Sequence, residues 1–304
     1  MRRVVLGGSF LLAGAVLWTV LPVPALFRSA PRGNGRAETI GNSAGTASLT
    51  TATTALFPFA DAYFALRSAW FAEVFANARA SLATTAPPAD GAIVAEVDVH
   101  SEPFTNGPAF AKLPDSLLER RSSIEHHAVE ARALFEVPGV APEKLVLFFA
   151  FSSFTDAMGD PGERESSFCF DASSVGENAS CAPSIEGGLG PGEFLTHDAW
   201  KGGGLAQPTD VWQRHRLIRD GDVYAILDEL WHDCDKPGHA RVELSSGMIA
   251  ARPTSQGSLV LLRRFYKGQS FPAIARGIVR SRTKSYYERL AEKVRELAPK
   301  WEPD

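Results

Sequence analysis

The clearest periodicity in the chain lies in its last third. Residues 211–218, 222–232, 240–252 and 258–266 are strand-like runs bounded by turn residues and predict four strands. Asp220-Gly221 between the first two is a hairpin signal, because a tight two-residue turn needs positive φ. Asp235–Gly238 and Pro253–Gly257 turn the chain twice more, giving an antiparallel meander. Residues 271–298 then change to a period of three to four, opened by Pro272. Ala275, Ile278 or Val279, Tyr286, Leu290, Val294, Leu297 and Trp301 form one face of this helix. Arg276, Arg280, Lys284, Arg289, Glu292, Arg295 and Glu296 lie away from it.

Upstream, Val129–Val137 alternates as a half-buried strand and stops at Pro138-Gly139. Pro142-Glu143-Lys144 is a helix entry, with proline where no N–H is needed and an acid at the positive end of the dipole. The apolar run Leu145–Phe154 follows and is read as that helix. Leu56–Leu82 repeats Phe59, Tyr63, Leu66, Trp70, Val74, Ala78 and Leu82, an amphipathic helix over 55–83 that either packs on the main domain or lies on a membrane surface. Residues 84–120 read as a linker with one short strand at Ile93–Val99. Residues 159–206 read as loop-rich, with short strands around Ser167–Phe170 and Glu193–Leu195.

Composition narrows the picture little. With 45% apolar and 22% charged residues the chain is an ordinary globular protein. Its net charge of −4 gives no reason to expect nucleic acid as a partner. The distribution of charge is more informative, since no acidic residue occurs between Glu243 and Glu288. Arg263, Arg264, Lys267, Arg276, Arg280, Arg282 and Lys284, with Arg252, make that stretch basic: either a solvated face balanced by acids elsewhere in the fold, or a face toward an anionic membrane or acidic partner. Arg2-Arg3 followed by an apolar run to Phe27 is a signal peptide or a membrane anchor (1–27), and 28–54 is a flexible Gly/Ser/Thr tether. A membrane-anchored or secreted, periplasmic protein is expected. In that compartment Cys169 and Cys181, flanking a Ser/Gly/Asn-rich loop, are the expected disulfide, leaving Cys234 single.

Candidate chemistry is sparse. No Gly-x-Ser-x-Gly, P-loop or dinucleotide fingerprint is present, and no cofactor is expected. His126-His127 point in different directions on one segment. His232-Asp233-Cys234-Asp235 with His239 gathers metal-ligand types, but in a turn where polar residues belong anyway, so no metal is expected. His215 and Asp228 are the candidates for acid–base work, together with Glu229. Asp228 shares a strand face with Tyr224 and Ile226, and Arg214 on the neighbouring strand is its candidate partner. No catalytic residue is assigned, and an enzyme is the less favoured reading.

A strand, a helix entered through Val137-Pro138-Gly139-Val140-Ala141-Pro142-Glu143-Lys144, a run of antiparallel strands, and a last helix entered through Ser270-Phe271-Pro272 resemble the START-like, or polyketide-cyclase (SRPBCC), superfamily over about 125–298. The resemblance implies an α+β helix-grip fold for 121–304, a curved antiparallel sheet wrapped around the long C-terminal helix, with the helix of 55–83 as an N-terminal extension. It also implies an apolar cavity for a lipid, sterol, isoprenoid or polyketide. Trp212, Tyr224, Ile226, Met248 and Leu261 on the strands, and Ile278, Tyr286 and Leu290 on the helix, are the expected lining. The expected function is binding of a hydrophobic small molecule or lipid; a cyclase-type enzyme and a ligand-free interaction module are the alternatives.

Overall fold

The computed structural model describes residues 59–61, 69–99, 129–152, 164–170, 181, 188–200, 208–234, 236–239, 244–267 and 276–302. The apolar run and tether before residue 59, most of the 84–120 linker beyond Val99, His126-His127 and the Ser270-Phe271-Pro272 entry lie outside them.

Among the described residues nine strands form one sheet: β1 (Ala60–Asp61), β2 (Val94–Val99), β3 (Val129–Pro138), β4 (Arg164–Cys169), β5 (Glu193–Trp200), β6 (Thr209–Asp220), β7 (Val223–Asp233), β8 (Leu244–Pro253) and β9 (Gly257–Lys267). The order is β2-β3-β9-β8-β7-β6-β5-β4, antiparallel throughout, with β1 added in parallel beside Ile218 and Arg219 of β6. Among the described residues the α-helices are α1 (Ala69–Thr84), α2 (Pro142–Phe151) and α3 (Arg276–Leu297).

The four expected meander strands are β6 to β9, and Val129–Val137 is β3. The β6–β7 turn is made by Gly221 and Asp222, with Gly221 at φ 63°, where an L side chain is strained. One stretch departs from expectation: Ala60–Asp61 is a strand rather than part of a helix. The short strands expected at Ile93–Val99, Ser167–Phe170 and Glu193–Leu195 are β2, β4 and β5. β5 runs on to Trp200, and β2 pairs with β3, so the sheet begins before residue 121.

Both faces of the sheet are covered. The inner face carries Ala131, Ala133, Phe135, Val260, Leu262, Ile249, Ala251, Ile226 and Leu217. Over it, α2 packs on β7, β8 and β9, and α3 packs on β2 and β3. Pro142 opens α2 at a position with no hydrogen bond to lose, and Leu145, Val146, Phe148 and Phe149 are all buried. Val279, Leu290, Ala291 and Val294 are the buried stripe of α3.

The outer face carries Ile218, Ala225, Leu227, Met248, Ala250, Leu259 and Phe265 beneath Val74, Phe75, Ala78 and Leu82 of α1. Of the two placements considered for this helix, packing on the domain is the one found. Arg252 donates to the carbonyls of Leu82 and Thr85, satisfying orphan acceptors at the C-terminal end of α1. Its charge is thereby committed to helix capping.

Candidate functional site

Strand alternation sets which side chains meet on the inner face. One transverse row runs Phe194, His215, Asp228, Gly247, Arg264, Ala131 across β5, β6, β7, β8, β9 and β3. Toward α2 the neighbouring rows are apolar; along this one they are not. Asp228 is 0% exposed and Arg264 4%, and they form an ion pair at 3.1 Å. Their strands are not adjacent, since β8 lies between. The pair closes over Gly247, whose absent side chain leaves the room: a Cβ there would stand 2.8 Å from Asp228 Oδ1 and 2.9 Å from Arg264 Nη1.

The polar set extends from this pair. Arg264 Nη2 donates to Ser245 Oγ at 2.8 Å, and Gln213 Nε2 lies 3.5 Å from the same oxygen. His215 Nε2 and Thr196 Oγ1 are 2.7 Å apart, and the imidazole stacks on Phe194 at 4.8 Å. Phe194 continues to Phe151 of α2 at 5.3 Å and to Phe170 at 5.7 Å, so an aromatic series flanks the polar row. From α3, Tyr287 reaches the field of Arg264 and Asp228; burial pushes its phenol up to about 12. One turn earlier, Thr283 faces inward, 3% exposed, and its hydroxyl has no hydrogen-bond partner among the described residues. Gln213, also 3% exposed, likewise leaves Oε1 without a partner among them.

Several expected positions are corrected by this geometry. Tyr224, Ile226, Tyr286 and Leu290 do belong to the inner-face core. Met248 and Leu261 are on the outer face under α1, because they alternate with Ile249 and Leu262. Trp212 is also on the outer side, packed with Leu195 and Cys169. Ile278 is 42% exposed; its neighbour Val279 takes the buried position. Arg214 does not pair with Asp228. It is on the outer face, where Arg214 and Arg216 hold Glu193 at 2.5 and 2.8 Å, and Arg216 also holds Glu229 at 2.9 Å.

In that outer network burial pushes Glu193 up, but bonds from Arg214 and the Gly190 amide, with both guanidinium charges, hold it below the usual carboxylate range. Glu229 goes the other way: complete burial raises it more than Arg216 lowers it.

The basic stretch is also divided by strand alternation. Arg264 is consumed by Asp228, and Arg263 by Glu130 at 2.9 Å on the outer face. Lys267 ends β9 and Arg276 opens α3. Arg280, Arg282 and Lys284 are exposed along α3, with Lys284 3.9 Å from Glu288 one turn on.

The disulfide is Cys181–Cys234, and Cys169 is buried outside that bridge, which overturns the expected Cys169–Cys181 pair. The end of β7 brings Cys234 beside Cys181, although 53 positions separate them. Trp212 Nε1 donates to the Cys181 carbonyl at 2.9 Å and supports this corner. Among the described residues no helix is long and apolar enough to cross a membrane.

No protein-family model matches the sequence, and no curated protein does either. Among solved structures, the chain is similar to human STARD10, with 9% identity and a TM-score of 0.44 over 75% of this chain and 80% of that one. It is similar to the STAR-related lipid transfer protein of Xanthomonas axonopodis, with 15% identity and a TM-score of 0.40 over 70% and 96%. Human StAR-related lipid transfer protein 5 gives 13% identity and a TM-score of 0.40 over 75% and 97%. By its own strand order, with α2 following β3 and α3 packed on β2 and β3, the chain has an α+β helix-grip arrangement.

Proposed function

We propose that the protein binds a hydrophobic small molecule with a polar end, a lipid or an isoprenoid, against the inner face of the sheet. The observation that carries this reading is a compact polar set inside an otherwise apolar face. Binding sites for such molecules are mostly apolar, with a few convergent polar groups that fix orientation. Asp228, Arg264, Ser245 and Gln213 supply both donors and acceptors. The unpartnered Gln213 Oε1 and Thr283 Oγ1 are costly in an apolar interior, by about 1–3 kcal/mol each, unless something bonds to them. A ligand hydroxyl or carboxyl meets that need, while the Phe151–Phe194–Phe170 series accommodates its apolar body.

The same reading puts the protein at a membrane, exported or anchored by the apolar run that ends at Phe27. Arg280, Arg282 and Lys284, beside the exposed Ile278, give α3 a cationic face with an apolar residue for an anionic surface.

A cyclase-type enzyme is the second reading. It is favoured by one relation: His215 and Asp228 are direct cross-strand neighbours, both buried on the inner face. Asp228→Asn and His215→Ala would then abolish turnover while ligand is still bound, and unchanged turnover would exclude those roles.

The test of the leading reading is solvent extraction of the purified full chain, with mass spectrometry of what is released. Recovery of a lipid in near-stoichiometric amount is expected. An empty protein that also fails to bind fluorescent fatty-acyl and sterol analogues would overturn it.

A further inference from the structure

Away from the inner face, β5, β6 and the end of β7 deliver a dense group of metal-ligand side chains to one corner of the sheet. Cys181, His232 and Cys234 place their ligand atoms within 4.8 Å of one another, and so do His197, Asp210 and Cys234. The two triads share Cys234. His197 Nε2 bonds Asp210 Oδ1 at 2.7 Å, the imidazole–carboxylate pairing that orients ligands at metal sites. His197 also stacks on Trp212 at 4.7 Å, and the amide of Cys234 donates to the carbonyl of Asp210 at 3.0 Å. The corner is thus held by the sheet itself. The opposing charge in it is Lys236, which pairs with Asp210.

We propose that this corner is a thiol-dependent site for a divalent zinc-like cation, closed to metal while the Cys181–Cys234 disulfide stands and opened by its reduction. A dithiol, itself oxidised to a disulfide, delivers two electrons and two protons and leaves Cys181 and Cys234 as thiols. The cation then displaces both thiol protons and takes the two thiolates and the neutral imidazole of His232. The His197–Asp210 pair supplies the fourth ligand. Two sulfurs and one imidazole select a borderline-soft ion such as Zn²⁺ over Mg²⁺ or Ca²⁺, and four such ligands make a closed structural site rather than a catalytic one. The exchange preserves the covalent function of the corner, since disulfide and metal both tie Cys181 to the end of β7.

The experiment uses the full chain, reduced with a dithiol and desalted under anaerobic conditions, against the same chain left oxidised. Co²⁺ is the probe. Expected in the reduced chain are thiolate-to-cobalt charge transfer and tetrahedral d–d bands, bleached by Zn²⁺ and untouched by excess Mg²⁺. The oxidised chain should show neither. His232→Ala, which leaves both cysteines in place, should weaken binding roughly tenfold or more, and Asp210→Asn should weaken it as well. Zn²⁺ should also protect Cys181 and Cys234 from alkylation, as mapped by peptide mass spectrometry. A reduced chain without these bands would overturn the proposal. So would bands of equal strength in the oxidised chain, or bands that survive Cys234→Ser.

Discussion

Asp228 and Arg264 meet across a strand that belongs to neither of them. Their carboxylate and guanidinium close at 3.1 Å above Gly247 of β8, the residue that pairs with both in register. Three strands therefore share one buried charge pair, and it stands where a ligand's polar end is proposed to bind. Removing one member of such a pair is costly, because the other is left charged in an apolar interior, by about 3–5 kcal/mol. Arg264→Met and Asp228→Asn should each destabilise on that scale in urea unfolding. The double variant should lose clearly less than the sum of the two, and strict additivity would mean that the pair is not coupled.

Gly247→Ala tests the same relation through space alone. The new methyl would stand 2.8 Å from Asp228 Oδ1 and 2.9 Å from Arg264 Nη1, so the pair must part or the strand must shift. A loss of about 1–3 kcal/mol is expected, together with reduced ligand retention. An unchanged unfolding midpoint would contradict the packing described.

The outer network gives a pH dependence with a definite sign. Glu193 is held below its ordinary value of 4.5 in the folded chain. Its contribution is therefore full above about pH 4.5 and lost as pH falls through the lower folded value. Glu229 is raised by burial, so its contribution is full below that pH and declines as pH rises. In Glu193→Gln the neighbouring Glu229 also loses the Glu193 charge that helps to raise it, so its decline with pH is smaller in the variant. The variant should be less stable at neutral pH, and the gap should shrink in acid below pH 4.5. A gap that widened in acid would reverse the assignment.

Membrane docking by α3 predicts that Arg280→Glu with Lys284→Glu weakens sedimentation with phosphatidylserine vesicles. The expected loss is about 1 kcal/mol per cation removed, before the added repulsion of the new acids, and it should diminish at high salt. Binding to neutral phosphatidylcholine vesicles should not change. Equal loss on both vesicle types would point away from electrostatics.

Much of the fold was legible because its second half is locally consistent. Gly221 marked the β6–β7 hairpin, Pro142 marked the start of α2, and the stripe of α3 was readable apart from the choice between Ile278 and Val279. The lining residues were harder for a physical reason. Because α1 covers the outer face, strands β6 to β9 are apolar on both sides, so apolar character could not tell inner from outer. Apolar character alone puts Met248, Leu261 and Trp212 inward, whereas alternation with the inner-face residues Ile249 and Leu262 puts Met248 and Leu261 outward, and Trp212 packs with Leu195 and Cys169. The sequence shortens β5 because Thr196, His197 and Asp198 are polar, yet Thr196 bonds His215 in one polar cluster and His197 bonds Asp210 in the other. The partner of Asp228 could not be read at all, since strand order, not sequence distance, brings β9 within reach over a glycine. Adjacent Arg263 and Arg264 look like one basic surface in sequence but point to opposite faces, and both are neutralised.

The central claim is that a hydrophobic ligand lies against the inner face with its polar end at Asp228 and Arg264. The most direct measurement is photocrosslinking with a diazirine-bearing fatty-acyl probe, followed by peptide mass spectrometry of the full chain. Adducts are predicted on inner-face residues such as Phe194, His215, Ile226 and Tyr287, and they should be lost on competition with unlabelled lipid. Adducts confined to Met248, Leu261 or the buried face of α1, or no competable adducts at all, would contradict it.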